Sequence, residues 1–346
     1  LDVTMYLNHY YLVSLLAFLM VWMPLSSTWS VDAKLRPSIK SDTQPALFLW
    51  AIRLQMACVY FYAGLAKLGT EWLVEAQPLH IWMRARVDTP LIGGMLGDWT
   101  VALMMAWAGF LFDLTIVAWL LWPKTRKLAF AVVVIFHFFT NLFFPIGLFS
   151  FIMVACATVF LDPSWPRRIV GKLGAKAGIE RPTSPLNMKL GLASLMVFAA
   201  IQIAIPLRHL AYPGDVLWTE EGMRWSWKVM VREKNGAVTY RVKLPTRDRE
   251  IQVVPGRYLT QDQEREFAGQ PDMILQLGQH SGAEYSALHG QEVEVRVNAV
   301  ASMNGRLPAM LIRPEVDLMK VDDGLLRAEW ILDESEGAAR LAHRYS

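Results

Sequence analysis

Charge is scarce in this 346-residue chain: 19% of its residues are Asp, Glu, Lys or Arg, against 54% hydrophobic. That balance, with a mean hydropathy of +0.28, excludes an ordinary soluble domain and points to an integral membrane protein. Cysteine is nearly absent. Cys58 and Cys156 both fall inside apolar runs, which reads as buried thiols and not as a disulfide. The formal net charge is only +3, and the basic residues gather in loops between apolar runs. This argues against nucleic acid as a partner and reads as a topology signal. Zinc-ligand spacings are missing, so no metal is expected. A starting methionine and a signal-peptide layout are missing too, and the opening at Leu1 implies that sequence precedes it.

What the chain has in quantity is long apolar runs. Six are long enough to cross a bilayer with some tilt: His9–Leu25, Ala46–Leu68, Trp99–Trp122, Leu128–Phe144, Gly147–Leu161 and Met188–Leu207. A seventh stretch, Pro78–Leu96, mixes Arg84, Arg86 and Asp88 with apolar residues and reads as lying in the membrane interface. Lys124, Arg126 and Lys127 crowd one loop; Arg167, Arg168, Lys172, Lys176 and Arg181 crowd another. Both should face the cytoplasm, and the two spans between them, turned at Pro145-Ile146-Gly147, agree with that. Counting outward puts Lys34–Lys40 on the cytoplasmic side, and Leu1, Lys67 and everything after Leu207 on the other.

From about Arg208 the texture changes. Lys228–Glu233 and Val238–Leu244 flank Asn235-Gly236, a hairpin signal between β-type runs. Glu292–Val300 alternates at period two, as a half-buried strand does, and Asp262–Gln279 reads as helical. The expected architecture is a polytopic α-helical membrane domain over 1–207, followed by a mainly β extracytoplasmic domain over 208–346 with one helical insert.

Few polar residues lie inside the apolar runs. In Ala57–Trp72, ACVYFYAGLAKLGTEW, Lys67 is the only charge before Glu71. A lysine near the end of a span commonly snorkels to the interface. In apolar surroundings, desolvation disfavours the charged form and leaves an amine able to take a proton. At 1.5 Å of rise per residue, Arg53 and Asp113 both lie roughly 21 Å below the outer ends of their helices. Their matched depth predicts a buried structural ion pair, because either alone is costly in hydrocarbon. Asn8 and His9 start the first span at the level of Lys67. His137 sits about 12 Å below the outer end of its helix, with Asn141 roughly half as deep. These residues form the candidate site, and no carboxylate is evident among them.

Here the residues carry a resemblance. LDVTMYLNHYYLVSLLAFLM, YFYAGLAKLGTEW, FHFFTNLFFPIGLFSF, LDPSWPRR, WTEEGMRWSWKVMVRE, the PG…TQ…DM pattern at Pro255–Met273 and SMNGRLPAMLIRPEVD run in order over nearly the whole chain. All resemble vitamin K-dependent gamma-carboxylases, and the chain looks like a compact, bacterial-type relative. The resemblance implies an enzyme that oxygenates vitamin K hydroquinone (phylloquinol or menaquinol) with O2 and uses that reaction to carboxylate glutamate with CO2. The γ C–H of glutamate is too weak an acid for any side-chain base. A lysine can deprotonate the quinol, and the oxygenated product is then basic enough to take the carbon-bound proton.

Residue by residue, the resemblance makes Lys67 the catalytic base, with Ala66 replacing a lysine of animal members. His9, in Asn8-His9, matches a histidine that supports the deprotonated intermediate, and His137 matches a histidine of the fourth span. His209, Ser226 and Trp227 match glutamate-binding positions, as does Arg265 with different spacing. Met223 stands where animal members carry tyrosine, and Arg306 matches without a gap. Spans that precede this stretch in the family, and the long C-terminal portion of animal members, have no counterpart here. The implied partners are a glutamate-containing peptide and the lipid bilayer. Two alternatives stay open: a quinol epoxidase without a glutamate acceptor, and a non-catalytic transmembrane module that binds a lipid or a partner. A base at Lys67 with His9 argues against the second.

Overall fold

The computed structural model describes residues 6–41, 43–144, 146–170, 185–245, 249–322, 324 and 327–345. Lys172, Lys176 and Arg181 of the second basic loop, and Pro145 of the turn between spans, lie outside them. Among the described residues, four helices are long and apolar enough to cross a membrane. They are α2 (Ala46–Leu65), α3 (Trp99–Leu121), α4 (Arg126–Phe143) and α6 (Pro185–Leu207). The other two expected spans are shorter. α1 (Asn8–Val21) has 14 residues and rises about 21 Å, less than the ~30 Å hydrocarbon core. It stops short of Pro24, which cannot continue a helix. α5 (Phe149–Ala157) starts only after the turn at Gly147, whose φ is +60°.

α2 and α3 pack side by side, with Gly64 against the backbone of Leu114. A Cβ there would lie 3.0 Å from the backbone nitrogen of Leu114, so any side chain would press the helices apart at this level. α3 extends well beyond the end of α2. Its outer turns, capped by Asp98 accepting from Thr100 and Val101, hold the segment that follows Lys67. Trp72 Nε1 donates to Ala106 O at 2.8 Å and Trp107 Nε1 to Leu73 O at 3.0 Å. At its other end Arg126 donates to Leu120 O and Leu121 O, closing open carbonyls. Pro78–Leu96 breaks into two short helices, Leu79–Arg84 and Gly93–Leu96, with Arg84, Arg86 and Asp88 exposed.

The second domain carries one antiparallel sheet, in the order β2-β1-β3-β4. The strands are β1 (Lys234–Leu244), β2 (Arg249–Val253), β3 (Glu294–Met303) and β4 (Ala309–Met310). Alternate residues of β1 and β3 are buried: Val238, Tyr240 and Val242 beside Ala299, Val297 and Val295. They pack with α8 (Pro271–His289), onto whose Ile274 O the Tyr240 hydroxyl donates at 2.7 Å.

Four expectations change here. The single helix over Asp262–Gln279 is two, α7 (Gln261–Phe267), opened by a Thr260–Gln263 capping box, and α8. With α9 (Glu334–Tyr345), helices contribute more residues than strands, so the domain is α+β and not mainly β. Asn235-Gly236 makes no hairpin either. It lies inside β1, paired with Ser302 and Ala301. Gly236 serves a close approach, because a Cβ would fall 2.2 Å from Ala268 O. The stretch before it is not a strand: Trp225, Trp227 and Met230 have φ of +65°, +56° and +54°, which breaks any pleat.

The sheet domain docks on the Lys67 end of the helices. Glu71 receives Arg306 and, at 2.6 Å, Asn304 Nδ2; Trp82 Nε1 donates to Glu233 Oε2 at 2.6 Å. Trp227, 1% exposed, is sunk into the helical core and stacks on Tyr11 with ring centroids 4.9 Å apart.

Candidate active site

Lys67 follows the last turn of α2, and its side chain folds back along that helix into the bundle. Only 5% of the residue is exposed. Its Nζ donates to Ala63 O at 3.1 Å and lies 2.8 Å from Asp113 Oδ2. It also lies 3.5 Å from Val229 O and 5.2 Å from the Trp72 ring centroid. Lys67 is thus a buried group and not one that snorkels into the interface.

The expected Arg53–Asp113 pair is replaced by Lys67–Asp113. Arg53 instead donates to Val159 O at 2.9 Å and lies against the rings of Trp50 and Phe160. The reason is the offset between helices. Counting depth from Trp99 assumes that α3 starts level with the end of α2, but α3 projects outward past it, and the Gly64–Leu114 contact brings Asp113 to the level of Lys67. As a whole the pair is electrically neutral, which is how both groups tolerate apolar surroundings.

Lys67 and Asp113 open onto an apolar cavity of about 390 Å³, walled by Tyr60, Phe112, Phe136 and His137. The volume is that of a small-molecule site. His137 is buried; its Nε2 is 3.2 Å from the Tyr60 hydroxyl, and its Nδ1 has no partner. Asn141 is exposed, and Thr140 takes the cavity-facing position instead. Asn8 and His9 line a neighbouring cavity of about 480 Å³. Phe149 stands between the two histidines, its ring 6.0 Å from His9 and 6.1 Å from His137.

A third, polar pocket of about 190 Å³ lies between the start of the chain and the sheet domain, with Asn8, Arg224, Lys228 and Arg232 in its wall. Glu220 answers both Arg232 and Lys234, the latter at 3.5 Å. Glu266 also lines the pocket and Arg224 is paired with Asp272; among the described residues no carboxylate is in ion-pair contact with Lys228, which leaves this one ammonium unanswered. Burial holds the Lys234 ammonium well below the usual lysine range, and Arg232 beside it adds to the effect. Burial lowers Lys228 and Arg232 too. Met230 lines all three cavities.

The residues matched to glutamate binding scatter around this pocket. Ser226, 3% exposed, donates to Met223 O, and with Trp227 it anchors the loop whose next residues form the walls. His209 is half-buried; its Nδ1 is 2.8 Å from Pro206 O and its backbone packs on Gly222. Arg265 turns away: its side chain is 69% exposed and lies 3.8 Å from Glu266 and 3.9 Å from Asp262. Sequence reasoning missed Asp113 as the partner of Lys67, and it missed Tyr60 and the cations of the pocket. The cations left a trace, since Arg224, Lys228 and Arg232 recur every fourth residue.

No solved structure matches the chain. Two family models do, and together they cover most of it. The HTTM domain model matches residues 1–165. The model for the vitamin K-dependent gamma-carboxylase lumenal domain matches residues 187–337. The second match begins within α6, the last long apolar helix before the sheet domain, and the chain belongs to the vitamin K-dependent gamma-carboxylase family.

Proposed function

We propose that this protein is a membrane-embedded glutamyl gamma-carboxylase driven by oxygenation of vitamin K hydroquinone, with Lys67 as the base that deprotonates the quinol. The observation that carries this reading is the placement of one buried amine–carboxylate pair in the wall of an otherwise apolar cavity, beside a cationic pocket. The cavity fits a quinol. Its walls are aromatic and aliphatic, and its few polar groups include a buried histidine nitrogen that lacks a partner. Bound there, a quinol would supply, on reaction with O2, the strong base that glutamate requires.

The chain's own residues have separable tasks. With the proton of the pair on Asp113, the Lys67 amine is neutral and takes the quinol proton, while Asp113 holds that amine in place. His137 and Tyr60 are the other polar groups available to the ring hydroxyls. His9 and Asn8 lie at the next cavity, between quinol and peptide. Lys228, beside the already paired Arg232 and Arg224, offers the charge that would hold a glutamate carboxylate. The lysine end and the sheet domain lie on the non-cytoplasmic side, in keeping with the loop charges.

A quinol epoxidase without a glutamate acceptor needs only the apolar cavity. The unanswered Lys228 ammonium beside it favours the carboxylase. The test is purified protein with vitamin K hydroquinone, labelled bicarbonate and a glutamate-rich peptide. Label in the peptide, dependent on quinol, is the expected result. Epoxide alone selects the epoxidase, and neither product removes the enzymatic reading.

A further inference from the structure

On the sheet face away from α8, Arg241 of β1 and Arg296 of β3 are direct cross-strand partners. Like charges set opposite one another destabilise a sheet. Arg296 is answered by Glu294 of its own strand at 2.5 Å. Arg241 has no such answer among the described residues: its Nη2 donates to Pro314 O at 3.3 Å, and its Nε is buried with no partner. α9 lays two more arginines over this face. Arg340 meets Glu315 at 2.9 Å and Glu336 at 3.1 Å, and Arg313 shares Glu336. Arg344 donates to Asn298 Oδ1 at 3.0 Å. Five guanidiniums therefore face three carboxylates, and the two left over are Arg241 and Arg344.

A groove of about 510 Å³ runs past these side chains. A buried guanidinium nitrogen without an acceptor is unfavourable, and the acceptor that matches its planar fork is a carboxylate. The groove is open and much larger than one carboxylate or phosphate, so its cations are spread for several acids along a chain. Lys234, which shares Glu220 with Arg232 of the pocket wall, lies seven residues along β1 from Arg241, about 23 Å. A peptide with one glutamate in the cationic pocket reaches the groove only after roughly seven extended residues or more. We propose that this groove, around Arg241 and Arg344, docks a carboxylate-rich segment of a peptide substrate at a distance from its reacting residue. The inference rests on the glutamyl-substrate reading, but its binding step is measured apart from turnover.

The test uses the full chain in detergent and a fluorescein-labelled peptide of about 20 residues, long enough to span both sites. The peptide is rich in glutamate, and a matched peptide carries glutamine instead. Anisotropy should show the glutamate peptide binding roughly tenfold tighter or more, as expected for charge-assisted contacts. Arg241→Gln/Arg344→Gln should lose most of that preference, and Arg344→Gln alone, at an exposed helix end, part of it. Label incorporated into a glutamate tripeptide, too short to reach the groove, should be unchanged in these variants. Wild-type preference retained in the double variant overturns the proposal. So does a loss confined to binding of anionic lipid vesicles. If the carboxylase reading fails instead, wild type labels no peptide of any length while the glutamate preference persists.

Discussion

Lys67 Nζ lies 2.8 Å from Asp113 Oδ2, and both side chains face the same apolar cavity. Removing one member leaves a buried charge without its partner, which costs about 3–5 kcal/mol. Asp113→Ala should therefore lower the unfolding temperature markedly. Asp113→Asn keeps the shape and a hydrogen-bonding oxygen, yet product formation should fall by roughly a hundredfold. Lys67→Met/Asp113→Leu should recover stability without recovering activity. Unfolding curves in detergent, run beside product assays, separate these outcomes.

The pair exists because two helices touch at Gly64. Gly64→Ala puts a methyl against the Leu114 backbone, and the helices must part. The expected loss is about 1–3 kcal/mol of stability, with a larger proportional loss of turnover as Lys67 and Asp113 separate. Activity at the wild-type level in this variant would mean that their spacing does not matter.

Lys67 was legible in the sequence because one charge in a long apolar run stands out. Asp113 was legible as a buried acid, but its partner was not. Depth counted along single helices cannot reveal that α3 overshoots α2, since the offset is set by side-chain contacts such as Gly64 on Leu114. Four of the six apolar runs became long helices, whereas hydropathy alone could not show that α1 and α5 stop short. Asn235-Gly236 misled for a related reason: the glycine answers a close approach by Ala268, a tertiary fact, while the pair mimics a local turn signal. The left-handed backbone at Trp225, Trp227 and Met230 had no signal, because none of these residues favours it.

Met230 borders the quinol-sized cavity, the His9 cavity and the cationic pocket together. A flexible apolar thioether at that junction would act as a partition between the cavities. Met230→Ala should raise the ratio of epoxide to carboxylated product several-fold, and Met230→Leu should leave it near wild type. Chromatography of both products from one reaction gives the ratio; an unchanged value in Met230→Ala removes the partition role.

Lys228 lines the cationic pocket, and burial lowers its ammonium below the usual value of about 10.4. A bound carboxylate favours the charged form, so binding takes up a proton once the pH passes the free-pocket value. Below that value the lysine is charged in both states and affinity does not change. Above it, affinity for a glutamate peptide should fall by up to about tenfold per pH unit, until the bound-state value is passed. Lys228→Met should flatten the curve. Titrations across the alkaline range test this, and a curve equally steep in Lys228→Met contradicts it.

The central claim is that the Lys67 amine takes a proton from a quinol. Its most direct test is epoxide formed from vitamin K hydroquinone and O2 by Lys67→Ala, with the variant verified as folded by its size-exclusion profile. The account predicts no epoxide above the protein-free background. Epoxide formed at the wild-type rate would contradict it.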